Sequence, residues 1–140
     1  MTSFKKRIFK NLQNTYCRLR PSKYGVGVFA VREIPKKINP FSNCRKVRWL
    51  KFKEKEISKL SGEVVKMIKD FYGSDNGFYY IPSHGLDGND VSFYINHSSK
   101  PNVFTKDDGL TFFTTRKIKK GEELFADYNT YDPLDEILSK

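Results

Sequence analysis

Turn formers interrupt this chain so often that no apolar run approaches the roughly 20 residues a bilayer-spanning helix needs, and most stretches between them suit only short strands. Asp87-Gly88, Asp108-Gly109 and Lys120-Gly121 are turn signals, and Pro35 closes the apolar segment before it. Between such breaks, residues 17–20, 28–34, 45–52, 78–81, 103–105, 110–115 and 124–128 read as strands. Within 45–52, Val47 and Trp49 fall on one face and Lys46, Arg48 and Leu50 on the other. One segment has a different period. Ile57, Leu60, Val64, Met67, Ile68 and Phe71 repeat at helical spacing, with Gly73 as a stop, which predicts one inserted helix within 54–73. Many brief strands and one sizeable helix make a β-rich α+β fold.

At 140 residues the chain has the size of one domain, and 12 Phe with 8 Tyr supply bulk for a core. The reading divides it into a basic N-terminal extension (1–16), a domain (17–132) and a closing segment (133–140) in which Leu134, Ile137 and Leu138 pack as a short helix. Cys17 and Cys44 are too few for a disulfide scaffold, and with only His84 and His97 beside them they lack zinc-site spacing, so no metal is expected. The N-terminus has no secretory pattern, so the expected location is intracellular, cytoplasmic or nuclear, without a membrane partner.

Charge is uneven. Residues 1–53 carry +14 and residues 54–140 carry −4, summing to +10. The basic half makes nucleic acid, or a protein packaged with it, a possible partner; a merely solvated face is the plainer alternative. Phe4, Ile8, Leu12 and Tyr16 recur among Lys5, Lys6, Arg7 and Lys10, as expected for a basic amphipathic helix, a frayed tail or a transit peptide.

Three segments concentrate chemistry. Gly25-Val26-Gly27-Val28-Phe29-Ala30 fits the loose G-x-G-x-x-G/A pattern, but strand character at 28–31 and Pro35 deny it the helix a dinucleotide site requires. Its two glycines either let a ligand approach the backbone or make a tight bend. Tyr94-Ile95-Asn96-His97-Ser98-Ser99-Lys100-Pro101-Asn102 packs polar, ring and turn groups together; His97, Ser98 and Asp127 offer triad side chains but no nucleophile elbow. Gly121-Glu122-Glu123-Leu124-Phe125-Ala126-Asp127-Tyr128 joins a turn, a strand and a phenol. There is also an echo: Phe29-x-x-Arg32-x-Ile34-x-Lys36 returns as Phe113-x-x-Arg116-x-Ile118-x-Lys120, two strands with similar exits.

In order and content these segments resemble the SET-domain protein-lysine methyltransferases: a Gly-x-Gly strand entry, then Asn-His-Ser-x-x-Pro-Asn, then Gly-Glu-Glu-Leu-x-x-Asp-Tyr, over roughly residues 17–132. The closest likeness is to short members without cysteine-rich flanks. The resemblance implies small curved sheets with a knot-like crossing, where the segments near Asn96 and Tyr128 meet. It implies S-adenosylmethionine as methyl donor, held by the backbone of Gly25, Val26 and Gly27 and by Tyr94, Asn96 and His97. Tyr128 would then lie beside the transferring methyl as the catalytic residue, with Ile95, Ala126 and Tyr131 along the substrate lysine's channel.

Departures carry meaning too. Phe93-Tyr94 stands where the family often has Arg-Phe, removing a charged cofactor contact, and Ser99 replaces a frequent cysteine, so no zinc-completed site is expected. Ala126 sits where a bulky Phe or Tyr commonly limits methylation, which would permit multiple methylation, and the Tyr-x-Gly element is missing near 39–45. The resemblance therefore implies methyl transfer to lysine in a protein, histone-like or ribosomal. The alternative is a catalytically idle SET-like module that docks on nucleic acid or a chromatin-like partner through its basic half.

Overall fold

A computed structural model describes residues 1–44, 47–107 and 109–130. Helix α1 (Ser3–Gln13) is capped by the Thr2 hydroxyl, which accepts from the Lys5 N–H at 3.1 Å. Its apolar residues stay exposed, and Tyr16 lies beyond its end, under the Arg32 guanidinium at 4.6 Å. No helix among the described residues is long and apolar enough to cross a membrane.

Strands β1 (Cys17–Ser22) and β2 (Gly25–Ala30) form a hairpin from Cys17 opposite Ala30 to Ser22 opposite Gly25. Gly25 leaves the turn at φ +100°, a conformation side chains disfavour. The expected strand over 28–34 thus starts earlier and stops at Ala30, because the chain then turns toward Pro35. Along β2, Val28 and Ala30 point into the core; on β9 (Glu123–Ala126), Leu124 and Ala126 do the same. β2 and β9 are antiparallel, and β9 takes β6 (Asn96–His97) on its other edge in parallel, giving the order β1-β2-β9-β6.

The echo has a structural meaning. Ile34 and Ile118 form an isolated antiparallel bridge, N–H to carbonyl at 2.8 and 2.9 Å, and both are 0% exposed. The two similar strand exits are joined to each other at the centre of the main core, which also holds Phe41, Ile95, Val103 and Phe112.

An insert carries a second core. It comprises β3 (Trp49–Lys53), α2 (Glu54–Ile57), α3 (Gly62–Phe71), β4 (Ser74–Asp75) and β5 (Phe78–Pro82), with sheet order β3-β5-β4 around Ile57, Ile68, Tyr72 and Tyr79. The single helix expected within 54–73 is two. Ser61 is extended (ψ 148°) and Gly62 begins a new helix, so two weak helix formers break the pattern where Leu60 remains exposed. The third strand is likewise shorter than expected, starting at Trp49; Arg45 and Lys46 lie outside the described residues. Residues 110–115 reduce to β8 (Phe113–Thr114), paired with β7 (Val103–Phe104).

Candidate functional site

Parallel pairing of β6 with β9 sets Asn96 beside Phe125 and His97 beside Ala126, so the two polar segments meet although about 30 residues separate them. Past the end of β9 the chain enters a 3-10 turn, Tyr128–Thr130, which brings the Tyr128 hydroxyl back to donate to the Ile95 carbonyl. The Tyr128 N–H donates to His97 Nδ1 at 3.1 Å, and the two rings stand 5.3 Å apart. A ring nitrogen that accepts carries no proton, so His97 is the Nε2–H tautomer. Asp127 lies 3.7 Å from the same nitrogen, too far for a hydrogen bond, and its Oδ1 instead accepts from the Asn129 N–H at 3.0 Å.

Asn96 ties this junction to the hairpin. Its amide nitrogen donates to the Val26 carbonyl and to Glu123 Oε2, each at 2.9 Å. Gly25 and Val26 are exposed there, while Gly27 is buried; a Cβ on Gly27 would meet Glu123 Oε2 at 2.6 Å. The second glycine is thus needed for close approach, and the carboxylate is what approaches.

Behind the site, Asn102 fastens β9. Its amide donates to the Glu123 carbonyl at 2.9 Å and accepts from the Phe125 N–H at 2.8 Å. The geometry therefore gathers Gly25, Val26, Gly27, Ile95, Asn96, His97 and Tyr128, with Ala126 buried in the adjoining core.

A family model described as "SET domain" matches residues 25–129, well over half of the chain. The chain belongs to the SET-domain family. Solved structures agree on the fold. Polycomb Repressive Complex 2 of Chaetomium thermophilum, autoinhibited and bound to S-adenosylmethionine, is 18% identical with a TM-score of 0.56, covering 89% of this chain and 17% of that one. An apo form carrying two substitutions gives 19%, 0.57, 88% and 16%, and a humanized, inhibitor-bound form gives 20%, 0.50, 84% and 15%. The chain thus spans less than a fifth of those neighbours.

Tyr94 sits between the main core, against which it packs, and the insert, where its ring is 5.3 Å from Phe71; no hydrogen bond among the described residues links it to the glycine pair or Asn96. Tyr131, and with it Leu134, Ile137 and Leu138, lies outside the described residues. Glu123, quoted within a motif but given no role, and Ser22, in none, also join the cluster: the Ser22 hydroxyl donates to Glu123 Oε1 at 2.8 Å. The available signal was the doubled acid Glu122-Glu123 at a strand start, where alternation sends neighbours to opposite faces.

Proposed function

We propose that this SET domain is an S-adenosylmethionine-dependent methyltransferase acting on the side-chain amine of a lysine in a protein substrate. The observation that carries the reading is the Tyr128 hydroxyl held on the Ile95 carbonyl, next to an Asn96 amide tied to the Val26 carbonyl. The residues fit the donor: Gly25 and Val26 offer exposed backbone, and Asn96, beside them, brings an amide. When bound, S-adenosylmethionine supplies an activated methyl group on a sulfonium.

The rest falls to the chain's own residues. A lysine must arrive uncharged, and with a reference pKa near 10.4 its deprotonation at neutral pH costs roughly 4 to 5 kcal/mol. Desolvation beside aromatic rings and a neighbouring cation lowers that cost. Tyr128 directs its proton to Ile95 and His97 Nδ1 accepts from the main chain, so this pair orients groups rather than removing a proton. The acidic balance of residues 54–140 favours a basic peptide, as in a histone-like or ribosomal substrate.

Transfer of labelled methyl from S-adenosylmethionine to a peptide array or lysate tests this. Wild type labels a lysine, while Tyr128→Phe and Asn96→Ala lose at least about 100-fold in rate; equal labelling by all three sinks the reading. One observation favours a second reading. Phe93, at the position where the family often has Arg, is packed against Trp49, Tyr72 and His84 at 5.7–6.2 Å and brings no charge to a donor, which suits a catalytically idle module; the +14 of residues 1–53 is what would dock it on nucleic acid or a chromatin-like partner. Salt-sensitive nucleic-acid binding without donor binding in calorimetry selects that alternative.

A further inference from the structure

The Glu123 carboxylate touches three residues of the junction at once. Oε1 accepts from the Ser22 hydroxyl at 2.8 Å, Oε2 accepts from the Asn96 amide at 2.9 Å, and Gly27 leaves the space in which Oε2 sits. Its neighbour Glu122 faces elsewhere, toward Arg116 and the Lys119 N–H.

The consequence falls on Asn96. Both partners of its amide, the Val26 carbonyl and the Glu123 carboxylate, only accept. A flipped amide would set its oxygen against two acceptors and lose both bonds, so the orientation is dictated: Nδ2 toward β2 and Glu123, Oδ1 away from them. A single partner would leave one amide hydrogen uncommitted.

We propose that Glu123 is a positioning residue of the donor site, holding Asn96 so that its amide oxygen is presented to the ammonium of the donor's amino-acid part. Ser22 pins the far carboxylate oxygen, and Gly27 is required because a methyl there would push the carboxylate off Asn96. This rests on the donor reading of the site.

Calorimetric titration of S-adenosylmethionine into the full chain tests it, with a thermal melt of each variant to establish folding. Glu123→Ala weakens binding about tenfold. Glu123→Gln stays within about twofold, because its oxygen still accepts from Asn96 while its nitrogen donates to the Ser22 hydroxyl. Adding Glu123→Ala to Asn96→Ala weakens binding no further, since the group being positioned is gone. Wild-type affinity in Glu123→Ala, or losses that add in the double variant, overturns the proposal while the donor reading stands. A wild type that does not bind S-adenosylmethionine overturns both. If Glu123→Ala does not fold, Ser22→Ala takes its place, with about threefold weaker binding that vanishes in the Asn96→Ala background; unchanged affinity counts against the proposal.

Discussion

Asn102 is 3% exposed, and all of its polar groups are used: besides its two amide bonds to β9, its N–H donates to the Phe125 carbonyl at 3.1 Å and its carbonyl accepts from the Thr115 N–H at 2.9 Å. It acts as a short piece of strand made from a side chain. Asn102→Ala leaves a main-chain carbonyl and a main-chain N–H without their partners, which costs about 2 to 4 kcal/mol. Urea unfolding of the variant checks this, and a loss below about 0.5 kcal/mol would show that Asn102 does not hold β9. The thiols are a second case. Burial pushes Cys17 up to about 12, with Cys44 nearby adding to it, and burial followed by Asp90 does the same to Cys44. Both are protonated at pH 8, so iodoacetamide labels the native chain at least about 100-fold more slowly than the urea-unfolded one, read by mass spectrometry. At this scale the sequence is legible where a residue type is unusual in its setting, as with Asn96, His97 and Tyr128. Glu123 is not legible, because which of two adjacent acids faces Asn96 depends on where β9 starts.

Among the elements, the Ile34–Ile118 bridge closes the main core from two loops 84 residues apart. Their likeness was visible in the echo, but their contact was not, since periodicity reports a residue's face and never its partner across the chain. The same limit applies to β7 and β8. Thr114, 0% exposed, donates from its hydroxyl to the Pro35 carbonyl at 2.6 Å and accepts from the Ile38 N–H at 3.0 Å, and its main-chain N–H and carbonyl bond Ile38 and Lys37 at 2.9 Å each, so this short strand is tied to the 35–38 loop as well as to β7. Asp107 gathers Thr105 and Thr111 in the loop before it, which ends the apolar pattern expected to continue from 110. In the helical insert the apolar spacing was sound, and the Ser61-Gly62 break within it outweighed that spacing. Truncating either isoleucine to alanine costs about 2 to 4 kcal/mol. Because the two side chains share a cavity, the double variant departs from the sum of the singles by at least about 0.5 kcal/mol. A denaturation cycle that closes additively would mean the two loops are held independently.

Over the whole molecule the balance of charge decides how stability responds to solution conditions. Among the described residues, no Lys or Arg within 1–53 forms an ion pair, although that stretch carries +14. Two of the pairs that do form draw on the second half: Arg116 with Glu122 at 2.9 Å, and Lys117 with Glu33 at 3.5 Å, both of whose side chains are exposed. Salt therefore screens much repulsion and little attraction, since exposed pairs contribute under about 1 kcal/mol each. The melting temperature at pH 7 rises between low salt and about 0.5 M sodium chloride; a fall would mean that surface pairs outweigh the repulsion. Acid acts in the opposite sense on one group. The Arg116 hydrogen bond, opposed by partial burial and aided by the Lys119 N–H, holds the Glu122 carboxyl below the usual carboxylate range. A depressed carboxylate stabilises fully above its ordinary titration range and loses that contribution as pH falls through the depressed value. Glu122→Gln is therefore less stable than wild type at pH 7, by under about 1 kcal/mol, and the two converge below about pH 3. Thermal melts from pH 7 to 3 measure the gap, and a gap that widens in acid would reverse the assignment of Glu122 as a stabilising anion.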